Sequence, residues 1–201
     1  MVRLTRTLVV AAALCAAAIT WGSGGDDDRT DTKPAAPFSL AAAPLPASTP
    51  KELNIGSIGL NAKFMTVGLG AGSAIETPPK KLLDTVGWYK GSVSPGEPGS
   101  AVVVGHVDSD RERSVFFRLS ELKPGWRLSV GRSDGRTAQF TVDERKYVKA
   151  AEFPAADVLR KGGDPGLWLM TCAPPYNKKT HRYDSVLMVH STMTRTFPAK
   201  A

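Results

Sequence analysis

The chain has 201 residues, room for one domain of ordinary size plus a tail. Its 26 Lys and Arg outnumber 19 Asp and Glu, a formal charge of +7, and two cysteines are too few for a disulfide framework. That charge suits anionic envelope polymers or lipid head groups, while the lack of zinc-ligand spacing and of a recognition helix argues against nucleic acid.

Arg3 and Arg6 precede an apolar run over residues 8–21, the layout of a secretory signal or short signal-anchor. The run is shorter than the roughly 20 residues of a comfortable span. No A-x-A cleavage site follows it, and Trp21 sits where an interfacial anchor would. Residues 1–22 therefore read as a membrane anchor holding the remainder on the extracellular face, with Cys15 part of the apolar run. Residues 23–50 are rich in Pro, Ala, Ser and Asp without periodicity and read as a disordered tether. Arg3, Arg6, Arg29 and Lys33 balance Asp26, Asp27, Asp28 and Asp31, so the net charge belongs to the folded part.

From Lys51 onward short apolar or alternating runs are separated by Gly, Pro and Asp. Strands are expected over 52–55, 62–67, 101–105, 127–130, 137–142, 147–149, 167–171 and 185–191. Ser133-Asp134-Gly135 reads as a hairpin turn, and short helical turns are expected over 116–122 and 155–161. Regularly spaced short strands with turn signals predict a mainly β fold, a small barrel with minor helix, over residues 51–201.

Leu167-Trp168-Leu169-Met170-Thr171-Cys172 reads as a buried strand that delivers a thiol where Pro174-Pro175 must end regular pairing. A lone cysteine is often only a small buried hydrophobe. Here export and the placement of Cys15 in the apolar run leave Cys172 without an internal partner, which points to a reactive thiol. Ala101-Val102-Val103-Val104-Gly105 delivers His106 in the same way, and two such presentations favour a nucleophile and base over two structural residues. His181 reads as a solvated loop residue, and His190, within an apolar strand, as packed or outward-pointing. Arg182, ten residues past Cys172, is the candidate oxyanion or carbonyl donor if an antiparallel strand returns it to the cysteine's level. A solvated strand-end charge is the equal alternative.

Gly105-His106-Val107-Asp108-Ser109, Leu169-Met170-Thr171-Cys172 and the basic residue entering the next strand resemble the sortases, cysteine transpeptidases of Gram-positive bacteria. Gly87-Trp88-Tyr89, Pro95-Gly96-Glu97-Pro98-Gly99, Val115-Phe116-Phe117-Arg118-Leu119 and Leu122-Lys123-Pro124-Gly125 extend the resemblance, closest to the class F branch, over about residues 53–189. It implies an eight-stranded sortase barrel in which Cys172 attacks an LPxTG-like sorting signal to give a thioacyl enzyme. His106 would serve as acid and base, Arg182 would hold the carbonyl or oxyanion, and Thr171 would position substrate. The implied partners are surface proteins carrying the signal, a peptidoglycan-precursor amine and the membrane, with no cofactor or metal. Thr180-His181-Arg182-Tyr183-Asp184-Ser185 departs from the class F pattern by lacking a glycine and exchanging Arg and Tyr. A one-residue shift turns a strand side chain to the other face, so either Arg182 or Tyr183 takes the usual place. A thiol peptidase with water as acceptor and a non-catalytic envelope-binding domain are the competing readings.

Overall fold

Alternating and continuous apolar runs close on one another as a barrel of eight strands in the computed structural model, described for residues 41–70, 74–108, 112–179 and 182–198. The strands are β1 (Pro50–Ile55), β2 (Leu60–Val67), β3 (Thr85–Tyr89), β4 (Gly99–Val104), β5 (Arg127–Arg132), β6 (Thr137–Lys149), β7 (Pro165–Asn177) and β8 (Arg182–Phe197). Around the barrel they run β1-β2-β3-β4-β7-β8-β6-β5, with β5 returning to β1. The β2–β3 and β4–β7 pairs are parallel and the others antiparallel. Among the described residues, helix is confined to α1 (Ala155–Val158) and to 3-10 turns such as Leu119–Glu121, shorter than the helical turns the sequence suggests. The anchor, residues 1–22, and the tether as far as residue 40 lie outside the described residues.

The mainly β, eight-stranded barrel is the expected architecture, but its strands are not all the expected ones. β3 carries Gly87 at its centre, which weakens any strand signal. Closeness demands that glycine: a Cβ there would lie 2.8 Å from Val67 Cγ1 and 3.2 Å from Val104 Cγ2. Conversely, the expected strands 137–142 and 147–149 are one strand, β6. The charged run Asp143-Glu144-Arg145-Lys146 interrupts the apolar pattern, yet its backbone stays on the ladder, with Glu144 opposite His190 and Lys146 opposite Met188. The register shift between Val142 and Glu144 absorbs the change of face. The Ser133-Asp134-Gly135 hairpin is present, with Gly135 at φ 79° and its N–H donating to the Arg132 carbonyl.

β4 and β7 are apolar on both faces because both are covered. Ala101, Val103, Leu167 and Leu169 join the interior with Leu53, Phe116, Phe140 and Val189. The alternate residues Val102, Val104, Trp168 and Met170 form a second cluster with Val67, Val158 and Met188. Two covered faces are what parallel strands require, and they produce continuous rather than alternating apolar sequence.

The end of the expected tether is bound to the barrel. Ala42 donates its N–H to the Met193 carbonyl (2.7 Å), Leu45 to the Gly96 carbonyl (2.8 Å), and the Leu45 side chain is buried. Arg132, whose side chain is fully buried, donates to the carbonyls of Pro46 and Pro95 and pairs with Asp134 at 2.9 Å. The guanidinium thus satisfies carbonyls on two segments that form no ladder with each other. Arg132→Met should remove those donors and lower stability by about 2–4 kcal/mol in urea titrations. The Arg132 hydrogen bond holds the Asp134 carboxyl below its ordinary 3.8, outweighing desolvation. A depressed carboxyl stabilises above its unfolded pKa and loses that contribution as pH falls through the folded one. Asp134→Asn should therefore flatten the acid limb of stability below about pH 4.

Candidate active site

The parallel register of β4 and β7 assembles the site. Val103 lies opposite Leu169 and Val104 opposite Met170, and the Gly105 N–H continues the ladder to the Met170 carbonyl at 3.1 Å. His106 and Cys172 each follow the Val104–Met170 pair by two residues and so sit at one level. His106 lies just past the end of β4 and Cys172 still within β7, which does not end at the cysteine as the sequence suggests but pairs it with Val186. Two-residue periodicity puts Cys172 in the row of Trp168 and Met170, outside the barrel, where it is exposed. Both residues line a groove of about 400 Å³ whose walls include Ile75, Val104, Phe153, Met170 and Val186. A larger hollow of about 870 Å³ adjoins it at Ala150 but holds neither reactive side chain; it is lined by Lys149, Pro175, Tyr183 and Asp184. The smaller groove is therefore the candidate site.

Gly105 lets the histidine segment lie against the core: a Cβ there would meet the Phe116 ring at 2.7 Å and Val115 Cγ1 at 2.8 Å. The His106 carbonyl accepts the Phe116 N–H at 2.9 Å, fixing the main chain, while Nε2 lies 2.7 Å from the Pro78 carbonyl. The ring is half-buried. Although Cys172 is accessible, the protein atoms around its sulfur push the thiol above its ordinary pKa, and the Asp108 carboxylate adds to this. Both effects favour the neutral thiol over the thiolate.

Asp108 also accepts a 2.7 Å hydrogen bond from the Tyr183 hydroxyl, whose pKa is pushed up to about 12 chiefly by that bond. The Tyr183 ring meets Tyr176 edge-on at 5.1 Å. Thr171 borders the groove, but its hydroxyl is buried without a partner. Arg182 begins β8 opposite Asn177, whereas the residue level with Cys172 is Val186, four places farther on. β7 runs on past Cys172 to Asn177, with a one-place shift of the ladder between Ala173 and Tyr176 where Pro174 and Pro175 lack N–H groups, so the chain turns farther out than the ten-residue spacing assumes. The Arg182 side chain and His181 lie outside the described residues. His190 sits opposite Trp168, well back from the cysteine, with Nδ1 2.8 Å from Asp143. Burial lowers its pKa against the pull of Asp143, and its ring packs 4.5 Å from that of Trp168.

Two participants escaped the sequence. Asp108 stands within the histidine motif and carries a charge, a signal that was available. Pro78 takes part through its main chain, which no residue type announces.

The sequence matches the Sortase domain family over residues 53–193, a stretch that contains every element from β2 to β7 and both reactive side chains. The protein belongs to the sortase family. No curated protein sequence matches it. Among solved structures, sortase C1 of Streptococcus agalactiae in complex with MTSET is similar at 20% identity and TM-score 0.55, covering 79% of this chain and 74% of that one. Sortase C-1 of Actinomyces oris is similar at 24% identity and TM-score 0.56, covering 72% and 73%. Sortase C-1 of Streptococcus pneumoniae gives 21% and 0.54, covering 71% and 65%. The class F placement is thereby corrected, since these similar structures are sortases C; at such identities the likeness is one of fold. The reason is physical. The motifs that suggested class F build the barrel: Gly87 fits between Val67 and Val104, Gly99 has φ 118°, and Phe116, Leu119 and Leu122 are buried core. Residues that build this barrel's core speak to its fold rather than to its branch.

Removing the Asp108 charge should favour the thiolate. In Asp108→Asn the midpoint pH for alkylation of Cys172 by iodoacetamide should fall relative to wild type; an unchanged or higher midpoint would contradict this electrostatic account.

Proposed function

We propose that this sortase is an extracellular transpeptidase, held at the membrane by residues 1–22, that cleaves an LPxTG-like signal and passes the acyl group to a cell-wall amine. The observation that carries the reading is the parallel β4–β7 register, which brings Cys172 and His106 to one level and into one apolar groove. Ile75, Val104, Phe153, Met170 and Val186 suit the apolar side chains of such a signal.

Because the resting sulfur is protonated, attack and proton transfer go together. Cys172 Sγ bonds to the scissile carbonyl carbon as its proton passes to His106, which gives it to the departing amine nitrogen when the C–N bond breaks. The products are a thioester and a free amine. An incoming amine then attacks the thioester, His106 takes its proton, and the sulfur leaves as thiol. Arg182 is assigned to the substrate carbonyl or oxyanion, and Thr171 to the groove wall that positions the peptide. Tyr183 flanks the site, with its hydroxyl engaged by Asp108.

Incubating the protein with an LPxTG-type peptide and following intact mass tests this directly. A covalent adduct on Cys172 that is discharged to an added amine is expected; equal discharge by water would indicate a peptidase. Cys172→Ala and His106→Ala should each lower acyl transfer by at least about a thousandfold with the fold retained. Arg182→Ala should lower it by about a hundredfold. Full turnover in Cys172→Ala would refute the mechanism.

A further inference from the structure

We propose that the main-chain carbonyl of Pro78 orients the reactive imidazole, holding His106 in its Nε2-protonated tautomer so that Nδ1 exchanges the proton with Cys172. This rests on the acid–base reading of His106 given above. A carbonyl oxygen only accepts, so at 2.7 Å the hydrogen lies on Nε2. A neutral imidazole has one N–H, which leaves the lone pair on Nδ1. When the thiol proton moves to Nδ1, the ring becomes an imidazolium and its Nε2–H bond to Pro78 becomes charge-assisted, favouring the charged species as it forms. Release of that proton to the leaving amine nitrogen returns the starting tautomer, and no other reactant is needed.

The carbonyl is held in place before substrate arrives. Pro79 follows Pro78, and a residue before proline is restricted to extended conformations, which limits the directions its carbonyl can take. Immediately beyond, the Leu82 N–H donates to the Pro79 carbonyl at 2.8 Å. On the other side the loop is pinned to the end of β2. Ile75 bridges Leu69, the Glu76 N–H donates to the Gly68 carbonyl at 3.0 Å, and Glu76 Oε2 accepts the Gly68 N–H at 3.1 Å. Ile75 packs on the cluster of Val67, Val104 and Met170. Ala74, Ile75 and Thr77 of the same loop also line the groove. One segment therefore forms a wall for the substrate and the support for the proton carrier, so a shift of this loop would disturb both.

The test is long-range 1H–15N correlation of the three histidine rings in 15N-labelled full-length protein in detergent micelles, at a pH where His106 is neutral. His106→Gln assigns the ring by loss of its signals. The expected result is the Nε2–H pattern for His106. In Pro79→Gly, which frees Pro78 while keeping its carbonyl, the ring should become a mixture of tautomers. Acylation kcat should then fall by about tenfold or more while KM changes less, since a wrong tautomer is costly in an analogous triad. Pro79→Ala should be intermediate in both readouts. An Nδ1–H pattern in the wild type, with His106→Gln inactive, would overturn this proposal alone. A mixed tautomer in Pro79→Gly with undiminished kcat would do the same. Acylation retained by His106→Gln would remove the acid–base reading and this proposal with it. The wild-type spectrum decides even where Pro79→Gly fails to fold.

Discussion

The pairing of β4 with β7 in parallel is the constraint on which the site depends. On parallel neighbours, residues equally far past a shared pair lie at the same level, whereas on antiparallel neighbours the chains run apart from any shared pair. Such a pair needs a long crossover, supplied here by the chain from Gly105 to Asp164 with β5 and β6 in it. It also needs cover on both faces, supplied by the interior around Phe116 and Phe140 and by the outer cluster around Trp168 and Met170. Each face costs the sequence a row of apolar residues. Together they fix the register that sends His106 and Cys172 out side by side.

The electrostatics suit a thiol that waits. Burial around the sulfur and the nearby Asp108 carboxylate both disfavour the thiolate, the form that oxidants and adventitious electrophiles attack. In the proposed mechanism an accessible cysteine gains protection from this, since the proton is removed only when a carbonyl is in place to accept the sulfur. The same Asp108 ties the histidine segment to the start of β8 through Tyr183. At the other end of the domain, buried Arg132 ties residues 46 and 95 together, so the segment that precedes β1 joins the barrel through main-chain carbonyls.

Much of this was legible because it is local. Apolar runs at 101–105 and 167–171, the Ser133-Asp134-Gly135 turn and a His just past an apolar strand all follow from neighbouring residues. What misled was equally physical. Gly87 hid β3, because a glycine forced by close packing against Val67 and Val104 carries no strand propensity. Asp143 to Lys146 hid the continuity of β6, because an exposed stretch of a long strand need not be apolar. Arg182 would be level with Cys172 only if the chain turned just past the cysteine; β7 instead continues to Asn177, which leaves Val186 opposite Cys172. The branch assignment failed because shared core residues were read as distinguishing ones.

By itself, then, the amino-acid sequence determined a mainly β barrel, a basic folded part, and a histidine at the end of one apolar strand, since composition and short-range periodicity depend only on neighbouring side chains. The tertiary structure alone decided which strands are parallel neighbours, that Val186 stands opposite Cys172, and that Asp108 raises the thiol while Pro78 holds the imidazole. Those depend on contacts between residues far apart in the chain, one of them with a main-chain carbonyl that every residue possesses and no side-chain pattern can mark.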